Sequence, residues 1–299
     1  MKDISLHQSF KISNSYTRKR SIKFWIIAHL LIPREGRKYV YMCFNYLKWV
    51  DDFVDNPGID KSDKLNFIEN QLHLLSNLSK GDKVDLKSNE EYFLYYLIQY
   101  ANSIINYDLI KEIRNSVESI QMDVNRLFKD GIFSFSQLNQ YIDKLNRPVF
   151  NLTCIFLLPS VKIPENNKYV GKFVWKVLIL RDFFEDLDSG YINISREEIE
   201  KYNLNIFDLK NDGNRFNWMK DKFSEYLNVL NEDIMIFKSI PLKVKLFWIP
   251  IYPQMIYELL KIKNYDYRFG IKHKRYFIKE LKVYFQTFLL SIKFLARVF

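Results

Sequence analysis

From Pro33 the chain reads PREGRKYVYMCFNYLKWVDDFVDNPG, with Val40, Cys43, Phe44 and Leu47 recurring at helical period and Asn56, Pro57 and Gly58 closing the run. Continued by a turn, that apolar face arrives at Asp51 and Asp55, at the C-terminal end of the predicted helix, where the macrodipole is already negative. A second run, through Val170, Phe173, Val174, Val177, Leu178 and Leu180, ends in Arg181, Asp182, Glu185 and Asp186 before Ser189 and Gly190. Each run carries two aspartates one helical turn apart, pointing one way. Carboxylates stacked at that spacing repel, and stay ionised together only beside a cation. Mg²⁺ is the usual one, since it takes few carboxylates and completes its shell with phosphate oxygens and water. Two such ends facing each other would hold a metal-diphosphate cluster. The competing reading is a pair of solvated acidic helix ends.

The same periodicity predicts helices near residues 60–79, 88–105, 107–130, 214–237, 243–263 and 271–297. Ser134 reads as the N-cap of SFSQLNQYIDKLNRPVFNLTCIFLLP, a run that Pro148 should kink or break. The second acidic helix follows Pro164, and YINIS at 191–195 reads as an extended connector whose Ser195 caps the next helix through Glu198. After a polar lead-in over residues 1–16, the basic TRKRSIK segment opens the apolar FWIIAHLLI helix. Basic residues at a helix start oppose the dipole but suit an anion site. The competing reading is a solvated basic edge.

Composition agrees with long helices. Only 8 Gly and 8 Pro interrupt 299 residues and there is no linker or low-complexity stretch; the 25 Phe and 20 Tyr pull towards strands by propensity, but the apolar residues recur at three and four rather than alternating, and periodicity decides. A single all-α domain over residues 17–299 is expected. Cys43 and Cys154 lie in apolar helical patterns, which fits buried reduced thiols and a reducing compartment. The first residues carry no secretory signal pattern, and the apolar stretch Ile240 to Leu260 is too broken by Lys243, Lys245, Pro250 and Pro253 to span a bilayer. His7, His29, His73 and His273 have no metal-ligand spacing, and no Gly-rich phosphate loop or nucleophile elbow is visible.

The formal charge of +10 is concentrated near the C-terminus, where Lys261 to Phe299 holds ten Lys/Arg against two acids. Lys272, Arg275, Lys279, Lys282, Gln286, Lys293 and Arg297 share one face of the predicted tail helix, while Leu281, Phe285, Phe288, Ile292, Leu295 and Phe299 face away. This basic amphipathic helix either packs on the protein's own core or lies on an anionic membrane surface. No reader motif accompanies the charge, so nucleic acid is not expected as a partner.

The two acidic clusters, in this order and separation, resemble the squalene/phytoene synthase family of class I isoprenoid synthases. Ser21-Ile22-Lys23-Phe24 is similar to that family's Ser-x-x-Phe segment, Lys48 to Asp55 to its first aspartate motif, and Leu180 to Asp186 to its second; Tyr141 resembles the start of its middle segment. The resemblance implies an all-α bundle around a central apolar cavity. It implies Mg²⁺ held by Asp51, Asp55, Asp182 and Asp186, with Tyr141 also catalytic. Diphosphate would be bound by Arg20, Ser21, Lys23, Lys48 and Arg181, and the substrates would be C15 or C20 prenyl diphosphates joined head to head. A monomeric cytoplasmic protein, peripherally attached to membrane by its tail, is expected.

The chain departs from the family pattern at several positions. Lys48 stands where Arg is usual, Trp175 and Leu178 where Gln and Asn are, Phe184 where Gly is, Asn146, Arg147 and Phe150 where the middle segment is small, and Tyr191 and Asn193 where Arg and Tyr follow Gly190. Trp175, Leu178 and Asn193 favour a second reading, transfer to another acceptor or cyclisation by the same aspartates. A third is a non-catalytic relative serving as a scaffold, against which the four retained aspartates argue.

Overall fold

In the computed structural model, which describes residues 4–104, 106, 108–126, 132–159, 169–210, 212–264 and 277–298, every regular element is a helix. The described residues divide into two compact units, 1–125 with 147–167 and 126–146 with 168–299.

The first unit contains α1 (Leu6–Arg20), α2 (Ile22–Leu31), α3 (Arg34–Asp55), α4 (Lys61–Lys80), α5 (Asn89–Ser103) and α6 (Asp108–Asn125). Packed against α1, α5 and α6, α3 is the central element, with Val40, Tyr41, Met42, Cys43, Tyr46, Val50 and Val54 buried along it. Buried Asn45 ties α1 to α3, its amide donating to the Ser13 carbonyl at 2.9 Å and to Thr17 Oγ1 at 2.7 Å. This bond sets the end of α1 beside the end of α3. The thiols of Cys43 and Cys154 are free and buried, and burial pushes both up to about 12.

Helix α7 (Phe135–Leu157) starts on the expected Ser134 cap and continues through Pro148 without breaking; its residues up to Asn146 belong to the second unit and those from Arg147 to the first. The second unit adds α8 (Lys172–Arg181), α9 (Phe183–Asp188), α10 (Arg196–Lys201), α11 (Arg215–Phe237), α12 (Leu242–Trp248), α13 (Ile251–Asn264) and α14 (Phe277–Val298). Here α8 packs on α11 and α13, and α14 on α11 and α13, around Phe173, Phe237, Tyr252 and Phe294. The Ser195–Glu198 capping box forms as expected.

The structure corrects four readings. Residues 6–20 are helical, so the basic cluster Arg18, Lys19 and Arg20 ends α1 rather than opening a helix, and there it complements the dipole. The single helix expected over 243–263 is split around Ile249 and Pro250, because proline has no N–H to continue the ladder. On α3 the most buried stripe passes through Tyr46, Val50 and Val54, so Asp51 is only half-buried and Asp55 is exposed. On α14 the buried positions are Val283, Phe294 and Val298, whereas Phe285 and Phe288 are 62% and 61% exposed and Ile292 is exposed as well. Apolar residues there cover more than one face of the helix, and the core takes the other one. The beginning of the tail helix at 271, with Lys272 and Arg275, the end of the helix expected to reach 130, and Phe299 lie outside the described residues, as do the side chains of Lys279 and Leu281.

Candidate active site

At the end of α3, Lys48 Nζ donates to Asp51 Oδ2 at 2.6 Å and approaches Asp52 Oδ1 at 2.9 Å; Arg20, closing α1, pairs with Asp52 at 3.3 Å. Burial would lower the Lys48 ammonium's pKa, but Asp51 and Asp52 outweigh it and raise it, so Lys48 stays charged. Partial burial of its carboxyl, together with the carboxylates of Asp51, Asp123 and Asp52, pushes Asp55 up to about 7 against the pull of Lys48. Because Asp55 as a residue is exposed, the like charges are the firmer of these causes. Ser21 caps α2, its hydroxyl accepting from the Phe24 N–H at 3.4 Å, and Lys23 is exposed in the first turn of that helix.

The second acidic end is built differently. Asp182 has φ −89° and ψ 7° and divides α8 from α9, although the Asp186 N–H still reaches the Asp182 carbonyl at 2.8 Å. The turn of separation survives while the helix bends out of regular geometry. Both Asp182 oxygens accept from Arg181, Oδ1 from Nε at 2.6 Å and Oδ2 from a terminal guanidinium nitrogen at 2.7 Å. Asp186 Oδ2 accepts from the Asn193 amide at 2.6 Å. Asn193 Oδ1 in turn accepts from Arg126 at 2.7 Å, and the other end of that guanidinium donates to the Tyr141 hydroxyl at 3.2 Å. Arg126, Asn193 and Tyr141 are all buried, and the guanidinium lies 4.4 Å from the Tyr141 ring centroid and 5.1 Å from that of Tyr191.

Behind this end, α8 is anchored at its start. Asp233, 1% exposed, accepts from the Gly171 N–H at 3.2 Å, the Phe173 N–H at 3.1 Å and the Tyr252 hydroxyl at 2.6 Å; burial nevertheless pushes its carboxyl up to about 6. Gly171 has φ +110°, and a Cβ there would run into Asn146 Oδ1 and the Trp248 ring. Along its length, buried Lys176 binds Glu225 at 2.8 Å, Glu225 binds Lys222 at 2.6 Å, and Lys222 pairs with Glu198. The lower part of α8 is therefore fixed by buried polar contacts.

Among the described residues, no three His, Cys, Asp or Glu side chains gather closely enough to ligate one ion. Each unit supplies a carboxylate pair instead. Either pair by itself fits a hard dication completed by phosphate oxygens and water, and the surplus negative charge around Asp55 is what such an ion neutralises. Asp52, Asp123, Arg126 and Asn193 were not predicted as site residues. Asp52 lies within the acidic run and was readable there. Arg126 lies just beyond α6 and reaches its partners only through tertiary structure, so the local pattern carries no sign of it.

The chain matches known proteins over most of its length. Many solved structures share its fold, three of which serve as examples. A squalene synthase, HpnC from Alicyclobacillus acidocaldarius, has a TM-score of 0.69 and 14% identity over 89% of this chain and 97% of its own. A dehydrosqualene synthase in complex with ligand has a TM-score of 0.65 and 16% identity over 96% and 98%. TcSQS in complex with a ligand has a TM-score of 0.67 and 14% identity over 97% and 91%. No curated protein matches. Residues 19–230 match the family described as squalene/phytoene synthase, whose members are prenyltransferase-like and normally depend on a divalent metal. With both acidic helix ends inside that stretch, the chain belongs to the squalene/phytoene synthase family.

Proposed function

We propose that this chain is a Mg²⁺-dependent prenyltransferase that ionises an allylic prenyl diphosphate of farnesyl or geranylgeranyl type and couples it head to head with a second. The observation that carries the reading is that each acidic helix end stands next to side-chain cations, Lys48 and Arg20 at one and Arg181 at the other. Bound Mg²⁺ supplies electrostatic stabilisation of the diphosphate oxygens. In the reaction the allylic C–O bond breaks heterolytically and its electron pair leaves with the diphosphate. Lys48, Arg20 and Arg181 offset the charge that develops there. The allylic carbon then bonds to the double bond of the second chain, and loss of a proton closes a cyclopropylcarbinyl diphosphate. Tyr141 is assigned to this site by the resemblance and sits in the same buried cluster as Asn193.

A second reading, transfer to another acceptor or cyclisation, is favoured by Trp175 and Leu178, which stand half-buried on α8 where polar helpers are usual in the family. Incubation with labelled C15 and C20 allylic diphosphates and Mg²⁺ separates the two. A coupled lipid with two prenyl chains supports the first, a single-chain lipid the second, and absence of turnover removes both.

The site would sit near an anionic membrane surface. On α14, Tyr284, Phe285, Phe288, Leu289 and Ile292 are exposed next to the basic edge of Lys282, Lys293 and Arg297, an arrangement suited to lipid headgroups and acyl chains together. No described helix is long and apolar enough to cross a membrane. Phe285→Ser with Phe288→Ser should reduce sedimentation with anionic vesicles while leaving the melting temperature nearly unchanged, since neither ring is buried. Unchanged vesicle binding would remove this assignment.

A further inference from the structure

Asp186 is reached by a polar chain that starts from a buried cation. The Arg126 guanidinium, 6% exposed, donates through one nitrogen to Asn193 Oδ1 at 2.7 Å and through another to the Tyr141 hydroxyl at 3.2 Å; Asn193 Nδ2 then donates to Asp186 Oδ2 at 2.6 Å. The order of charges fixes the amide. Its oxygen faces a cation and its NH₂ faces an anion, whereas the flipped amide would set NH₂ against guanidinium and oxygen against carboxylate. Only a side chain with both an acceptor and a donor can link the two in this way. Phe133, Tyr141 and Tyr191 lie around the guanidinium at 5.4, 4.4 and 5.1 Å from their ring centroids, which restricts its position further.

We propose that Arg126 and Asn193 are positioning residues for Asp186: Arg126 fixes the Asn193 amide, and Asn193 fixes the Asp186 carboxylate in the orientation from which it binds a divalent metal and its diphosphate. The proposal rests on the functional reading above and deepens it. It also gives a physical role to Asn193, one of the chain's departures from its family. A phenol at that position would have to accept from the guanidinium and donate to the carboxylate through one oxygen, whereas the amide does the two on separate atoms and so couples Asp186 to a positive charge two hydrogen bonds away. At Arg126 a lysine keeps the charge but lacks the fork that spans Asn193 and Tyr141.

The test is a titration of the full chain with Mg²⁺ in the presence of inorganic diphosphate, read as the midpoint of the thermal-stability increase and, separately, as the Mg²⁺ dependence of turnover. Asn193→Leu keeps the side-chain size and removes both bonds. It should raise both midpoints about 10-fold, in the range found when partners of metal-binding carboxylates are lost. Arg126→Met should do the same, and Arg126→Lys should fall between it and the wild type. If Arg126→Met fails to fold, Asn193→Leu and Arg126→Lys carry the test. Wild-type midpoints in the folded variants, whatever their melting temperatures, would overturn the proposal and leave the functional reading standing. A wild type with neither a Mg²⁺-dependent shift nor turnover would overturn both.

Discussion

The ends of α3 and α8 share a spacing and differ in almost everything else. At α3, Asp51, Asp52 and Asp55 crowd one regular helix end, within electrostatic reach of Asp123, and Lys48 and Arg20 offset them from half-exposed positions. At α8 the helix breaks at Asp182, and each aspartate has a partner, Arg181 for Asp182 and the Asn193–Arg126 chain for Asp186. The comparison teaches that an i, i+4 aspartate pair fixes where two carboxylates project but not how their charge is balanced. One end stores repulsion that a metal would relieve. The other is organised by hydrogen bonds that a metal would join.

The largest expected effect bears on both ends equally. Asp51→Asn and Asp182→Asn should each lower diphosphate ionisation by roughly 10³-fold, the order of the several kcal/mol that metal-assisted charge stabilisation supplies. A variant that keeps turnover would show that its end serves only the fold. Next in size is Gly171→Ala. Its Cβ would enter the space of Asn146 Oδ1 at a positive φ, so it should cost about 3 kcal/mol, from strain plus overpacking, in denaturant unfolding. A small loss would mean that α8 shifts easily and that its acidic end is less fixed than described.

Two pH experiments sharpen the contrast. Asp233 is raised by burial to about 6 from an unfolded value of 3.8, so its contribution to stability is full below 3.8 and is lost as pH rises through about 6. Asp233→Asn should remove that slope, which amounts to at most about 3 kcal/mol, with little dependence on salt. Asp55 has the same sign for a different reason: its contribution fades as pH rises through about 7, chiefly because neighbouring carboxylates repel it. Metal-free Asp55→Asn should therefore melt higher than the wild type at pH 8, with the difference shrinking towards pH 4 and at high salt. A salt-independent difference would show that burial, not repulsion, raises Asp55.

Much of this was legible in the chain itself. The helices over 61–80 and 89–103 and the Ser134 and Ser195 caps follow from period and capping chemistry, because both are local. The family resemblance rested on residues that keep their spacing. What escaped is set by tertiary partners. Arg18 to Arg20 close a helix that the local Ser5–Gln8 capping box opens and that Asn45 docks to α3, and only the docking is tertiary. The break at Asp182 occurs where its two oxygens turn to Arg181. On α14 the pattern marked an apolar face without saying which part would be covered, and Phe294 rather than Phe285 meets Phe237 and Tyr252.

The proposed function requires both acidic ends to act on one allylic diphosphate. It is tested most directly by measuring inorganic diphosphate released from a labelled allylic prenyl diphosphate by the wild type, Asp51→Asn, Asp182→Asn and the double variant, each with and without Mg²⁺. The account predicts Mg²⁺-dependent release by the wild type, release roughly 10³-fold slower in each single variant, and a double variant no slower than either single one, because the two ends work as a unit. Release near the wild-type rate in a single variant, or release that the wild type achieves equally without Mg²⁺, would contradict it.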